Sequence, residues 1–196
     1  MQIQYTTVAC PLGRLLVAAT ERGVSAVYIS DSDARLEKAL AREYPRAEIR
    51  RNSARLGPWV HEILRRLRGH EAAASLPLDV QATAFQRRVW EELRRIPRGS
   101  TRTYSEIARA IGRTQAVRAV ARACATNPVS IVVPCHRVVR ADGDLAGYRW
   151  GLRRKRALLA IEKKRAVSAR SSGSNGKLRG NVNTRASQGV QPEARN

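Results

Sequence analysis

Nine residues, Ile131-Val132-Val133-Pro134-Cys135-His136-Arg137-Val138-Val139, set a cysteine beside a histidine inside a run that is otherwise apolar and strand-like. This run constrains the fold more than any other, because its neighbours must cover it while leaving its thiol something to do. A cysteine becomes a nucleophile when a nearby base, cation or helix N-terminus favours its thiolate, and His136 and Arg137 bring two such groups into the local sequence. Adjacent residues of an extended chain point to opposite faces, so in a flat strand His136 could not hydrogen-bond Cys135 directly. Either the backbone bends after Pro134 or a water relays the proton. The same composition also suits a cysteine buried as a small hydrophobe.

Charge points to the partner. The 196 residues carry 37 Lys and Arg against 16 Asp and Glu, a formal net charge of +21. A surface of this kind attracts polyanions, with nucleic acid ahead of an anionic membrane. The excess is uneven: residues 1–80 hold 12 basic and 9 acidic side chains, whereas residues 81–162 hold 17 and 6. The basic half is the one that contains Cys135.

Three cysteines, Cys10, Cys124 and Cys135, form no CxxC pair, and His61, His70 and His136 show no ligand spacing. Neither a disulfide framework nor a metal site is expected, and a reducing cytosol suits such a chain. No segment approaches the ~20 consecutive apolar residues of a membrane span. The expectation is a cytoplasmic monomer without cofactor or membrane partner.

Along the chain, residues 2–9, 13–20 and 23–30 are short runs rich in Val, Ile, Tyr and Thr, separated by turn residues, and read as an antiparallel meander. Helical spacing follows over 33–43, behind an Asp31 or Ser32 cap, and over 58–68, opened by Pro58. After an extended piece at 78–81, Thr83 caps a helix carrying Phe85, Val89, Leu93 and Ile96. Residues 104–111, a turn at 112–115 and a second helix from Ala116 to Cys124 read as a helix-turn-helix. That second helix presents alanines with Arg118 and Arg122 and lacks the Asn, Gln or Ser that usually read base edges. Small residues allow close approach to a narrow groove, and Arg can enter the stack, so sequence-tolerant minor-groove binding is expected. Alternatively the alanines pack inward and the arginines are merely solvated. A turn at Asp142-Gly143-Asp144 and a final helix over 152–163 complete the ordered part. From Val167 the composition turns to Ser, Gly, Asn, Arg and Gln, too poor in apolar residues to offset the entropy of ordering.

Pro134-Cys135-His136-Arg137, preceded by Asn127-Pro128 and Arg118-Ala119-Val120 and followed by Gly147-Tyr148-Arg149-Trp150-Gly151, resembles the O6-alkylguanine-DNA alkyltransferases. The resemblance runs from about residue 3 to about residue 163. Around Thr83-Ala84-Phe85-Gln86, Asp142-Gly143 and Tyr148-Arg149-Trp150-Gly151 it is most similar to the C-terminal half of the bacterial adaptive-response members. The chain departs from those members at full length in having no N-terminal zinc-cysteine module and no further regulatory module, so transcriptional activation is not implied. The implied architecture is α+β. A small N-terminal antiparallel sheet with helices, ribonuclease H-like, would span 1–78; a mostly helical winged helix-turn-helix domain would span 79–164; a disordered basic tail would span 165–196.

The implied activity is direct repair: irreversible, single-turnover transfer of the alkyl group from O6-methylguanine, and from O4-methylthymine, in double-stranded DNA to Cys135 after base flipping. His136 would take the thiol proton through a bridging water and Glu162 would orient its ring. Tyr104 would help rotate the backbone phosphate and donate a proton to the leaving base. Asn127 would brace the helix-turn-helix against the active-site loop. Arg118 would fill the vacated stack, with Ala119, Arg122 and Arg137 also at the DNA. Val138, Tyr148, Arg149 and Trp150 would line the substrate pocket, and the large Arg149 and Trp150 would favour methyl over bulky adducts. A non-catalytic helix-turn-helix DNA-binding protein and a cysteine hydrolase are the rival readings. All the catalytic versions require a sulfur that is ionised and reachable.

Overall fold

The computed structural model describes residues 1–70 and 75–174. Strands β1 (Gln2–Cys10), β2 (Gly13–Ala19) and β3 (Val24–Ser30) form the expected meander. The β1–β2 turn needs Gly13: its φ is +116°, and a Cβ there would lie 2.5 Å from the Ser30 carbonyl oxygen. A fourth strand, β4 (Glu48–Arg51), pairs parallel to β1 and makes the sheet mixed, in the order β3-β2-β1-β4. Its sequence Glu-Ile-Arg-Arg has one apolar residue and no alternation worth reading, so only the pairing with β1 defines it.

Alternation along the strands splits the core in two. Leu16, Ala18, Ala26 and Tyr28 pack with Leu36 and Leu40 of α1 (Asp33–Glu43), whereas Leu15, Val17, Val27 and Ile29 join a larger core on the opposite face. Ser32 caps α1, accepting from the Arg35 N–H. Helix α2 starts earlier than Pro58 suggested. It runs Ser53–Leu67 behind an Asn52 cap, and Pro58 sits inside it. Asn52 accepts from the Arg55 N–H, and the buried face of Leu56, Val60, Ile63 and Leu67 holds the helix across the one backbone bond that the proline forgoes.

Helix α3 (Ala84–Arg95) opens with a reciprocal Thr83–Gln86 capping box and α4 (Tyr104–Ala110) with a Thr103–Glu106 box, which fixes Tyr104 as the first helical residue. Helix α5 (Val117–Ala125) follows after the turn at Gly112. The Trp90 indole N–H donates to the Ala123 carbonyl at 2.9 Å, and Gln86 donates to Thr126 at 3.0 Å, bracing α5 from α3. The run 131–139 is not a strand. Cys135–Arg137 form a 3₁₀ turn, and only β6 (Val138–Val139) is extended, parallel to β5 (Arg102–Thr103). The backbone does bend after Pro134.

The last helix, α6 (Leu152–Ser174), continues past residue 163. The first ten residues of the segment expected to be disordered, 165–174, are therefore helical, and the rest of that expectation, 175–196, lies outside the described residues. Lys155, Leu158 and Glu162 fall at i, i+3 and i+7, so α6 lays one face on the loop that carries Cys135. The larger core is continuous across both halves, from Leu15 and Ile29 to Val120, Val133 and Leu158. At their junction the Val27 N–H donates to the Pro128 carbonyl at 2.8 Å. Among the described residues no helix is long and apolar enough to cross a membrane.

Candidate active site

Asn127 organises the loop before the thiol. Fully buried, it donates through Nδ2 to the Val133 carbonyl at 2.9 Å and to Cys135 Sγ at 3.2 Å, and its Oδ1 accepts from the Val129 N–H at 3.0 Å. All its near groups are thus engaged by one loop. Within that loop Ile131 holds a left-handed φ of +75°, unfavourable for a β-branched residue and sustained by the packing around it.

Behind Cys135, the His136 Nε2 lies 3.0 Å from Glu162 Oε1, and both residues are buried. His136 Nδ1 is buried and without a protein hydrogen-bond partner, which leaves that nitrogen as the one available for proton transfer. Burial, aided by the Arg137 and Arg98 charges and opposed by Glu162, pushes the imidazole below its ordinary value, so it is neutral near pH 7 and competent as a base. Burial alone would raise the Glu162 carboxyl. Hydrogen bonds from His136 and Arg137 overcome that and hold it well below the usual carboxylate range.

Arg137 was expected at the DNA. Instead it is buried, donating to Glu162 at 2.9 Å and 2.8 Å and to the Ile96 carbonyl at 2.6 Å. A buried carboxylate requires a counter-charge, and Arg137 supplies it in a forked geometry. Arg98 adds a longer ion pair with Glu162 at 3.7 Å. A cleft of about 530 Å³ touches His136 and Glu162 from the side of Arg94 and Arg98, without reaching the sulfur.

The thiol also departs from expectation. Cys135 is only 4% exposed, and burial pushes its thiol up despite the Asn127 hydrogen bond and the Lys155 charge, so the resting sulfur is protonated rather than ionised. Lys155, absent from the sequence reading, is fully buried and donates to the Val138 carbonyl at 2.6 Å and the Ala146 carbonyl at 3.2 Å. Burial lowers its pKa. Its signal was the α6 spacing to Glu162.

Tyr104 is half-buried against the core that contains Cys135, and burial, with Cys124 and Cys135 nearby, raises its phenol to about 12. The β5–β6 pairing, Thr103 opposite Val139, is what brings α4 beside the sulfur. Arg118, Ala119 and Arg122 are exposed together on α5, while Val120, Ala123 and Cys124 face inward. Of the alanines, Ala119 is exposed beside the two arginines and Ala123 is buried. Val138 is buried, and the part-buried Tyr148 packs on the same core with its phenol held well above the ordinary value, first by burial. Trp150 Nε1 donates to buried Ser130 at 3.0 Å, another residue that the sequence did not single out. Arg149 turns toward the N-terminal half, pairing with Glu43.

The fold and site define a two-domain protein in which a buried cysteine, held by Asn127, is followed in the chain by a histidine hydrogen-bonded to a buried carboxylate, behind the second helix of a helix-turn-helix. The model of the 6-O-methylguanine DNA methyltransferase DNA binding domain matches residues 84–164, and that of the ribonuclease-like domain of the same family matches residues 3–80. The chain is 38% identical to the methylated-DNA–protein-cysteine methyltransferase of Mycolicibacterium paratuberculosis over 167 residues, covering 85% of this chain and 96% of that one. It is 46% identical over 162 residues to the bifunctional transcriptional activator/DNA repair enzyme Ada of Escherichia coli K12, covering 83% of this chain and 46% of Ada. The crystal structure of Mycobacterium tuberculosis OGT in complex with DNA superimposes with a TM-score of 0.68 at 34% identity, over 84% of this chain and 94% of that one. The chain belongs to the 6-O-methylguanine DNA methyltransferase family. It spans about half the length of the Ada proteins that it matches.

Proposed function

We propose that this chain repairs double-stranded DNA by moving the methyl group of O6-methylguanine, and of O4-methylthymine, onto Cys135, once per molecule. The observation that carries the reading is the buried arrangement of Asn127, Cys135 and His136 in one loop with Glu162 of α6 against it, behind a helix that exposes Arg118, Ala119 and Arg122. The basic surface would hold the minor groove, and a guanine must leave the stack to be reached, at a cost of a few kcal/mol. Arg118 would occupy the gap it leaves.

Because the resting thiol is protonated, the chemistry begins with proton removal. His136 Nδ1 takes the thiol proton through a water, and Glu162 stabilises the imidazolium from Nε2. The sulfur then attacks the methyl carbon: the S–C bond forms, the C–O6 bond breaks, and its electron pair returns to the base. Tyr104 donates a proton to that base, so one proton leaves the sulfur and one arrives on the guanine. The product is a thioether, and no group in the site can return it to a thiol. Val138, Tyr148, Arg149 and Trp150 bound the pocket, and the size of the last two favours methyl over bulky adducts. The protein would act as a cytoplasmic monomer.

The buried thiol is the one observation that favours the rival, a non-catalytic DNA-binding protein. Incubation with duplex carrying O6-methylguanine, followed by peptide mass spectrometry, separates the two. A stoichiometric gain of one methyl on the Cys135 peptide, absent in Cys135→Ser, is the expected result; DNA binding without that gain leaves the rival standing.

A further inference from the structure

We propose that Glu43, at the end of α1 in the N-terminal half, positions the lid formed by Arg149 and Trp150 and thereby sets the size of alkyl group that the pocket accepts. The inference rests on the alkyl-transfer reading above. Glu43 has no local reason to be acidic: it is the last residue of a helix, where the macrodipole disfavours a carboxylate. Its reason lies across the domain junction. The Glu43 Oε2 accepts from the Tyr28 hydroxyl at 2.7 Å and from the Arg149 guanidinium. That guanidinium lies 4.8 Å from the centroid of Tyr28 and 5.0 Å from that of Trp150, and the two rings are themselves 4.8 Å apart. The four side chains form one cluster, with two charges and two π faces satisfied together.

Each end of the cluster is anchored. Tyr28 is fully buried on β3, next to Val27, whose N–H holds the Pro128 carbonyl at the start of the active-site loop. Trp150 donates to Ser130, five residues before the acceptor cysteine. Strand β3 and α1 therefore hold both the loop before the sulfur and the Arg149–Trp150 pair that is tied to that loop through Ser130. The surrounding charge makes Glu43 hard to dispense with. Arg35, Lys38 and Arg42 line the same cleft as Arg149 and Trp150, and Glu43 is the one carboxylate among its lining residues. Without it, Arg149 would face three cations, and repulsion would swing the lid outward.

The test compares two rate constants within one preparation, for O6-methylguanine and for O6-benzylguanine at the same position of the same duplex, so that only the alkyl group differs. In Glu43→Ala the benzyl-to-methyl ratio should rise roughly tenfold, the size expected if a part-buried pair and its ring contacts together contribute about 1.4 kcal/mol to lid closure. A common loss of folded protein lowers both rates and leaves the ratio unmoved, so a merely structural role gives no such rise. Glu43→Gln, which keeps an acceptor for Tyr28, should give a smaller rise. Combining Glu43→Ala with Arg149→Met should raise the ratio no further than the single change, because both act on one contact. An unchanged ratio in Glu43→Ala, or multiplicative effects in the double variant, would overturn the inference. If wild type gains no methyl on Cys135, it is the repair reading that fails.

Discussion

Asn127 donates a hydrogen bond to the sulfur of Cys135 at 3.2 Å while its carbonyl oxygen accepts from the Val129 N–H, so one amide both sets the loop and faces the nucleophile. Asn127→Asp keeps the acceptor and removes the donor. A carboxylate against the sulfur would disfavour the thiolate, and the methyl-transfer rate should fall while its dependence on pH moves to more alkaline values. Single-turnover rates across pH measure this. A rate and profile like wild type would mean the amide merely fills space.

Acid should unfold the protein in two stages. His136 has a folded pKa below its ordinary 6.5, so the unfolded chain binds that proton first and stability is lost as pH falls through and below 6.5. Glu162 is likewise depressed from 4.5, and its contribution is lost as pH falls below that value. In Glu162→Gln the second stage should shrink, since Asp31, Asp33 and Glu106 are depressed as well, and stability at neutral pH should drop by about 3–5 kcal/mol because Arg137 is left buried without its counter-charge. Urea midpoints from pH 3 to pH 8 provide the check.

Lys155→Met should leave the shape of α6 nearly intact yet strand two carbonyls, those of Val138 and Ala146. A loss of about 1–3 kcal/mol is expected from the unsatisfied acceptors. The thiol also loses the cation that lowers it, so methyl transfer should slow more than the stability change explains. Melting and single-turnover kinetics on one sample distinguish the two effects.

Arg118 is exposed on α5 and makes no contribution to the core. Arg118→Ala should leave unfolding within about 0.5 kcal/mol of wild type. Repair of O6-methylguanine in duplex should slow strongly, while reaction with the free base, which needs no flipping, should keep its rate. Equal slowing on both substrates would remove Arg118 from the stack-filling role.

Much of the fold is legible in order along the chain. The capping residues Ser32 and Thr83, the turn at Gly112 and the alternation in β1 to β3 mark element boundaries through local chemistry. Strand β4 is not legible because one apolar residue carries no period. Arg137 misled for a different reason: a cation in a basic chain reads as surface until its carboxylate partner, 25 residues on, is located in space. Lys155 reaches partners 17 and 9 residues away and Arg149 one 106 residues away, and no spacing rule joins them. The identity of the thiol was plain from its neighbours, whereas its protonation depended on how tightly the rest of the chain closes around it.

The sulfur sits where packing leaves little slack, almost wholly buried and held by the Asn127 amide. A methyl fixed there stays for the life of the polypeptide and needs volume that the resting arrangement does not offer. Crowding by one carbon in such a place typically costs about 1–3 kcal/mol. Each repair event would thus leave behind a molecule slightly looser than its unreacted siblings, so that a spent copy can be told from a fresh one by its resistance to heat or protease.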